Sequence, residues 1–558
     1  MFIKYIKLIL ILVFFQQNPL YSKSKELKDF NSNYFSGIVA YKNKNNSDAL
    51  KFFKSSRILL NKHDPYLEKY IHSLVSEGKV KQAINEVKQN SKKNNSRFFE
   101  ARLILAIDSL KKKDFKKSKI YIDQSYEFID NNRISLFIYE SIKKYIYTFQ
   151  EGKILKTKNN FGNLSLVNET LQKCYLNNKD IETSFYSLIN NINEADYSRY
   201  TFFLINYLIE NSKIVEAKKI TNELDYLNSS LLMSQGKKWI EEKKFNELNK
   251  IFSCKNSNDI VGEFIFIIAN LYSSQNDYEK SNFYSNISNY LNPKFKFNLT
   301  LLAENYYLNK DYKKVERTLE YFNEKDDLYY WFKIKKQAQI ISKEVNDKEA
   351  LNFINKNFKR MDNPSIKIIF DLANFNKASK KYKEAITYYD QIISMIEPSS
   401  YNYANILYRR GSSYERLGNY IKSDKDFLRS LEINPDDAYV LNYLAYSWLE
   451  REYKIDNAIQ MLEKAYAIRS DDPYIIDSVG WSYYLIDDFL KAEKFLKKAV
   501  ELMPNDPVVN DHYADILWRL GKKIQARYFW RSVLNLKETE DKMKKNINIK
   551  LIEGLKAS

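Results

Sequence analysis

Four consecutive segments near the C-terminus place the same residue types on one grid of 34 or 35 positions. They are Gly411, Tyr414 and Ser423; Ala445, Trp448 and Ala458; Gly480, Tyr483 and Ala492; and Ala514, Leu517 and Ala526. A small residue, a large one about a helical turn later, and a second small residue describe two helices packed closely side by side. The small positions let the backbones approach, and the large one fills the groove between them. Pro435 and Pro504 fall where one unit ends and the next begins, because proline cannot continue a helical ladder. One such pair buries a single face, so its neighbours must stack on it to complete a core. Composition agrees: glycine occurs 11 times and proline 9 times in 558 residues, far below the roughly 12% of average proteins. A chain so poor in turn formers is not a barrel, a sandwich or a glycine-dependent nucleotide fold.

The grid, and above all Ile476, Val479, Gly480 and Tyr483 followed by Ala492, Leu496, Ala499 and Pro504, resembles the tetratricopeptide repeat, a helix–turn–helix of 34 residues. The resemblance implies an all-α, right-handed superhelical solenoid of hairpins. Upstream the grid is weaker. Gly37 with Ala49, Ile71 with Ala83, Ala106 with Ser118, Ala269 with Ser281 and Pro293, Ala303 with Tyr312, and Ala373 with Ala385 hold its phase. The expected organisation is a signal peptide or anchor at 1–22, divergent repeats at 23–129, and degenerate helical repeats or a helical insert at 130–255. Further divergent repeats follow at 256–361, then a well-defined array at 362–536 and a basic capping helix or tail at 537–558. From Trp448 to Leu536 the chain is also similar to exported alphaproteobacterial repeat proteins. Asn510 to Gly521 and Ala526 to Trp530 carry that similarity, which implies no defined biochemical activity.

In such repeats the first helices line a concave wall. The resemblance carries Tyr408, Tyr439, Asn442, Tyr446, Tyr474, Asp477, Trp481, Tyr484, Asp511, Asp515, Trp518 and Arg519 onto that wall as candidate partner-binding residues. Aromatics give large contact area at low entropy cost, and the polar groups pair with backbone or charge. Tyr408 and Ser412, then Asn442 and Tyr446, do not reproduce the Lys/Asn anion clamp of chaperone-binding repeats. The acids Asp477, Asp511 and Asp515 favour a polar or basic ligand segment instead.

Lys4 and Lys7, the apolar run Leu8 to Phe15 and the polar exit ending in Pro19 read as a secretory signal segment. Eight residues of helix cover about 12 Å, short of the roughly 30 Å hydrocarbon core. The expected setting is therefore periplasmic or otherwise exported, with an inner-membrane anchor at 1–22 as the alternative and peripheral membrane association allowed. Cys174 and Cys254 are the only cysteines, and 80 positions of separation leave their pairing open. The net charge of +19 is spread among acids along the chain, which does not make the basic stripe expected of a nucleic-acid binder. No P-loop, HExxH pair or GxSxG elbow occurs, and no cofactor or metal is expected. His512, beside Asp511 and Asp515, reads as a packing or surface residue. The function expected is that of an exported, non-enzymatic scaffold for a protein or peptide, in an envelope-associated assembly. The alternative is an envelope enzyme or polysaccharide-processing factor with its catalytic element hidden in 130–255.

Overall fold

A computed structural model describes residues 18–61, 63, 65–90, 97–129, 132–157, 159–190, 198–223, 227, 229–322 and 327–555, the side chains of 18–28, 61, 198 and 327 excepted. The apolar run of the expected signal segment lies outside the described residues. Among those described, the fold is entirely helical, with no strand, and no helix is long and apolar enough to cross a membrane. The chain forms two compact units, 1–344 and 345–558. The break between them falls inside the 256–361 segment, not at its end.

Local chemistry sets the helical hairpins. Asn45, Asp114, Asp277, Asp311, Asn419 and Asp488 each cap the second helix of a pair by accepting a backbone N–H with the side chain. One residue ahead of each of these caps the backbone turns left-handed, at Lys44, Lys113, Asn276, Lys310, Gly418 and Asp487, which closes the preceding helix. First helices in the second unit start on Asp437, Asp472 and Asp506. Pro473 and Pro507 then occupy the first turn, where their missing N–H costs nothing.

The blurred interval contains three hairpins: Asn163–Leu176 with Ile181–Ile189, Ser198–Glu210 with Ile214–Glu223, and Leu231–Glu241 with Phe245–Ile251. The left-handed turn at Lys243 falls 33 positions before Asn276, close to the grid, and that at Ser212 falls 31 before Lys243. The register is lost earlier, where the 19-residue helix Arg133–Glu151 runs into a non-helical stretch with no second helix of its own. Cys174 and Cys254 are buried and joined by a disulfide across a Cα–Cα distance of 5.3 Å, within the usual span. It ties the first of these hairpins to the segment that follows the third.

The first unit departs from a simple open stack. One continuous core runs from Tyr34 to Phe295, and the helix Tyr278–Leu291 packs against Pro65–Ser76, some two hundred positions earlier. That central helix is buried on nearly every side, which is why its sequence alternates Phe, Tyr and Ile with Ser and Asn. The small polar residues admit close neighbours and bond to them. Ser288 Oγ donates to the Gly262 carbonyl at 2.7 Å, Asn286 Nδ2 to the Ser76 carbonyl at 3.2 Å, and Asn305 Nδ2 to Ser281 Oγ at 2.8 Å. Each bond offsets the desolvation of a polar group in a packed interior.

The small-residue rule of the grid has a measurable consequence. A Cβ on Gly480 would sit 2.7 Å from Leu496 Cγ and 3.0 Å from the Leu496 backbone nitrogen. A Cβ on Gly262 would meet nothing nearer than 3.5 Å. Gly480→Ala is therefore expected to destabilise by about 1–3 kcal/mol through overpacking. Gly262→Ala should stabilise by up to about 1 kcal/mol through helix propensity. Urea unfolding followed by circular dichroism checks both, and destabilisation of equal size at the two sites would contradict the packing argument.

Candidate functional site

The candidate wall lies in the second unit, on the first helices Tyr401–Arg416, Ala438–Leu449, Pro473–Leu485 and Pro507–Arg519. Spacings of three and four put Tyr439, Asn442 and Tyr446 on one helical face, Tyr474, Asp477, Trp481 and Tyr484 on the next, and Asp511, Asp515 and Trp518 on the last. The structure divides these residues into three groups.

The first group is accessible. Tyr439 is 46% exposed and Tyr474 58%, with the Arg469 guanidinium 5.5 Å from the Tyr439 ring centroid. Asn442 and Tyr446 lie half-buried further along the Tyr439 helix, and the buried Asn442 carboxamide oxygen has no hydrogen-bond partner among the described residues.

The second group packs repeat against repeat. Tyr408 packs against both Phe427 and Tyr443, its ring centroid 6.0 Å from each. Trp481 stacks on Tyr484 at 4.6 Å and on His512 at 4.0 Å, nearly parallel to both. Its indole N–H points to Glu450 Oε1 at 3.3 Å. Arg519 Nε donates to the Tyr484 hydroxyl at 3.2 Å. Asp477 is buried and holds His512 Nδ1 at 2.9 Å. Burial opposes a charge on His512, but Asp477, with Asp511 and Asp515 beyond, outweighs it and raises the imidazole above its usual 6.5. The sign follows: this charge stabilises the fold fully below pH 6.5, and the contribution is lost as pH rises through the elevated value. Asp477→Asn should drop the His512 titration below 6.5, as read from its imidazole NMR resonances, while an unchanged midpoint would contradict the pairing.

The third group is covered by the chain's own last helix, Asp541–Glu553. Lys550 Nζ reaches Asp511 at 2.7 Å and Asp515 at 2.8 Å, and Trp530 Nε1 also donates to Asp515 at 3.0 Å. Gly554 packs so closely on the Trp518 indole that a Cβ there would lie 2.0 Å from it. The expectation that Asp477, Asp511 and Asp515 offer charge to a ligand is thus corrected. All three are engaged internally, and Trp518 lies under Gly554. The basic C-terminal segment does more than shield the last hairpin, since it seats a lysine in the wall itself.

The sequence reading also passed over cations at the other end of the wall. Lys377 bonds to Ser412 Oγ, 35 positions on, and Arg409 bonds to Asn374 at 3.3 Å. Burial, with Arg409 and Arg416 nearby, holds the Lys377 amine down at about 8. The same 35-residue offset that links His512 to Asp477 could have found this pair.

Comparison with known proteins converges on one family. The tetratricopeptide-repeat model matches residues 404–437. A Pseudomonas aeruginosa protein described as TPR repeat-containing is 32% identical over 104 residues, covering 19% of this chain and 18% of the relative. A Methanocaldococcus jannaschii protein of the same description is 25% identical over 497 residues, covering 81% of this chain and 77% of the relative. Among solved structures, MamA from Desulfovibrio magneticus RS-1 covers 32% of this chain and 97% of its own, with 19% identity and a TM-score of 0.27. PilF of Pseudomonas aeruginosa covers 33% and 82%, with 16% identity and a TM-score of 0.29. The chain thus carries a tetratricopeptide repeat at residues 404–437 and is similar over longer stretches to proteins described as TPR repeat-containing.

Proposed function

We propose that the chain is an exported, non-enzymatic scaffold that binds a protein or peptide partner through the open part of the wall in its second unit. The observation that carries this reading is the pair of exposed tyrosines, Tyr439 and Tyr474, on successive first helices. Large rings held on a rigid scaffold supply contact area at little entropic cost. A preformed surface of this kind acts by affinity and positioning, not turnover. Export, with a role in an envelope-associated assembly, is supported by the basic-then-apolar N-terminal sequence. It is also supported by the meeting of the only two cysteines in one buried disulfide, a bond that persists in oxidising compartments.

The test is affinity capture by the full-length protein from envelope extracts, compared with Tyr439→Ala/Tyr474→Ala. Neither ring is buried, so the double variant should keep its thermal melt while losing the captured protein. Identical recovery would move the binding surface elsewhere.

A further inference from the structure

Closure of the first unit creates a cleft that no repeat pattern specifies. The turn between Pro65–Ser76 and Val80–Asn90 faces the helices Tyr278–Leu291, Asn298–Leu308 and Tyr312–Leu319 across a cavity of ≈ 1040 Å³. Its floor is apolar, made by the buried Val80, Leu299 and Leu302. Its charge is one-sided. Glu77 is neutralised by Lys314 at 2.7 Å, and Lys314 also reaches Asp311 at 3.2 Å. That leaves Lys79, Lys81, Lys111 and Arg317 against the single acid Glu320.

Among the described residues Lys79, Lys81 and Arg317 make no ion pair. Lys111 lies over the Tyr290 ring at 3.8 Å and bonds to the Tyr290 carbonyl. Burial lowers its pKa and Lys81 adds to the effect, while Asp108 acts against both. A second cavity of ≈ 550 Å³ shares the wall formed by Tyr306, Lys314 and Arg317, and adds Lys44, Lys310 and Lys313 beside the acids Asp48, Glu279 and Asp311, so its lining keeps a net positive charge.

We infer that this cleft binds an acidic peptide segment, extended along the shared wall with its carboxylates on the lysines and Arg317. Two joined cavities suit an elongated polyanion better than a single small anion. Gln82 and Asn289, whose side chains make no hydrogen bond among the described residues, line the first cavity. Their carboxamides offer both donor and acceptor, which matches peptide groups. The apolar floor accepts an occasional apolar side chain between the acids. Opposite charge would steer the encounter and fix the register of the segment. This site is formed within the first unit alone, by residues separate from the wall in the second, so either can fail without the other.

Fluorescence anisotropy of a fluorescein-labelled peptide of alternating Glu and Ser, titrated with the full-length protein, tests the inference. Because the chain carries a net charge of +19, the control must match the charge change. Lys79→Glu/Arg317→Glu is compared with Lys425→Glu/Lys497→Glu, which reverses two exposed lysines of the second unit. The cleft variant should bind at least about tenfold more weakly, and the control should bind like the wild type. Added salt should weaken wild-type binding. Absence of binding at low salt, or equal losses in both variants, would overturn the proposal. So would tighter, cleft-dependent binding of oligogalacturonate or a single-stranded oligonucleotide. If the cleft variant melts early, Lys79→Gln/Lys81→Gln with the same readout decides.

Discussion

Arg199→Leu is expected to lower the stability of the protein by about 3–5 kcal/mol, because it strands a buried carboxylate. The Arg199 guanidinium grips Glu263 with two parallel bonds, Nε at 2.8 Å and Nη2 at 2.6 Å, and the same nitrogen reaches Asn298 Oδ1 at 2.8 Å. Glu263 is fully enclosed in the helix Ser257–Ser274. Four phenylalanines surround the cation, with the Phe266 centroid 4.2 Å away. Glu263 is shut off from water while the Arg199 side chain is 16% exposed, so removing Arg199 leaves the carboxylate without solvation. Arg199→Lys should recover little, since an ammonium cannot reproduce the planar fork. Arg199→Leu/Glu263→Leu should recover most of the loss, because an apolar pair is often neutral where an orphaned charge is not. Urea denaturation of the three variants reads the effect. A double variant no more stable than Arg199→Leu would contradict the electrostatic explanation.

Lys550→Met is the second large effect, and its size depends on pH. Burial and the neighbouring Asp511 push the Asp515 carboxyl up to about 6, while Lys550 pulls it back. Without Lys550 it rises further. A carboxyl whose folded value lies above its unfolded one favours folding while protonated. That contribution is complete below the unfolded value and is lost as pH rises through the folded one. The variant should therefore be destabilised by about 3 kcal/mol above pH 7 and recover much of this near pH 5. Thermal melts across that range check the sign. A loss that is constant with pH would mean that Lys550 acts through packing alone.

These residues also mark where the amino-acid sequence is legible and where it is not. Gly480, Ala492 and Leu496 announce their contact, because each lies within a single hairpin and obeys the local grid. Asp511 and Asp515 do not announce theirs. Their partner Lys550 lies 35 to 39 positions on, in a helix outside the repeat pattern, so the acids read as free when they are engaged. Closure of the first unit was equally hidden. The Ser and Asn residues of Tyr278–Leu291 look like an ordinary polar face until Ser76, some two hundred positions away, supplies their partner. Sequence spacing reports neighbours one helical turn or one repeat apart, and longer connections depend on how the stack curves.

Site-specific photo-crosslinking most directly tests the division of the wall into an open part and a self-occupied part. A benzophenone side chain placed at Tyr439 in the full-length protein should form adducts with a second protein in envelope extracts. At Trp518 it should form only an internal link to the segment 551–555. Adducts to a second protein at Trp518, with none at Tyr439, would contradict the account.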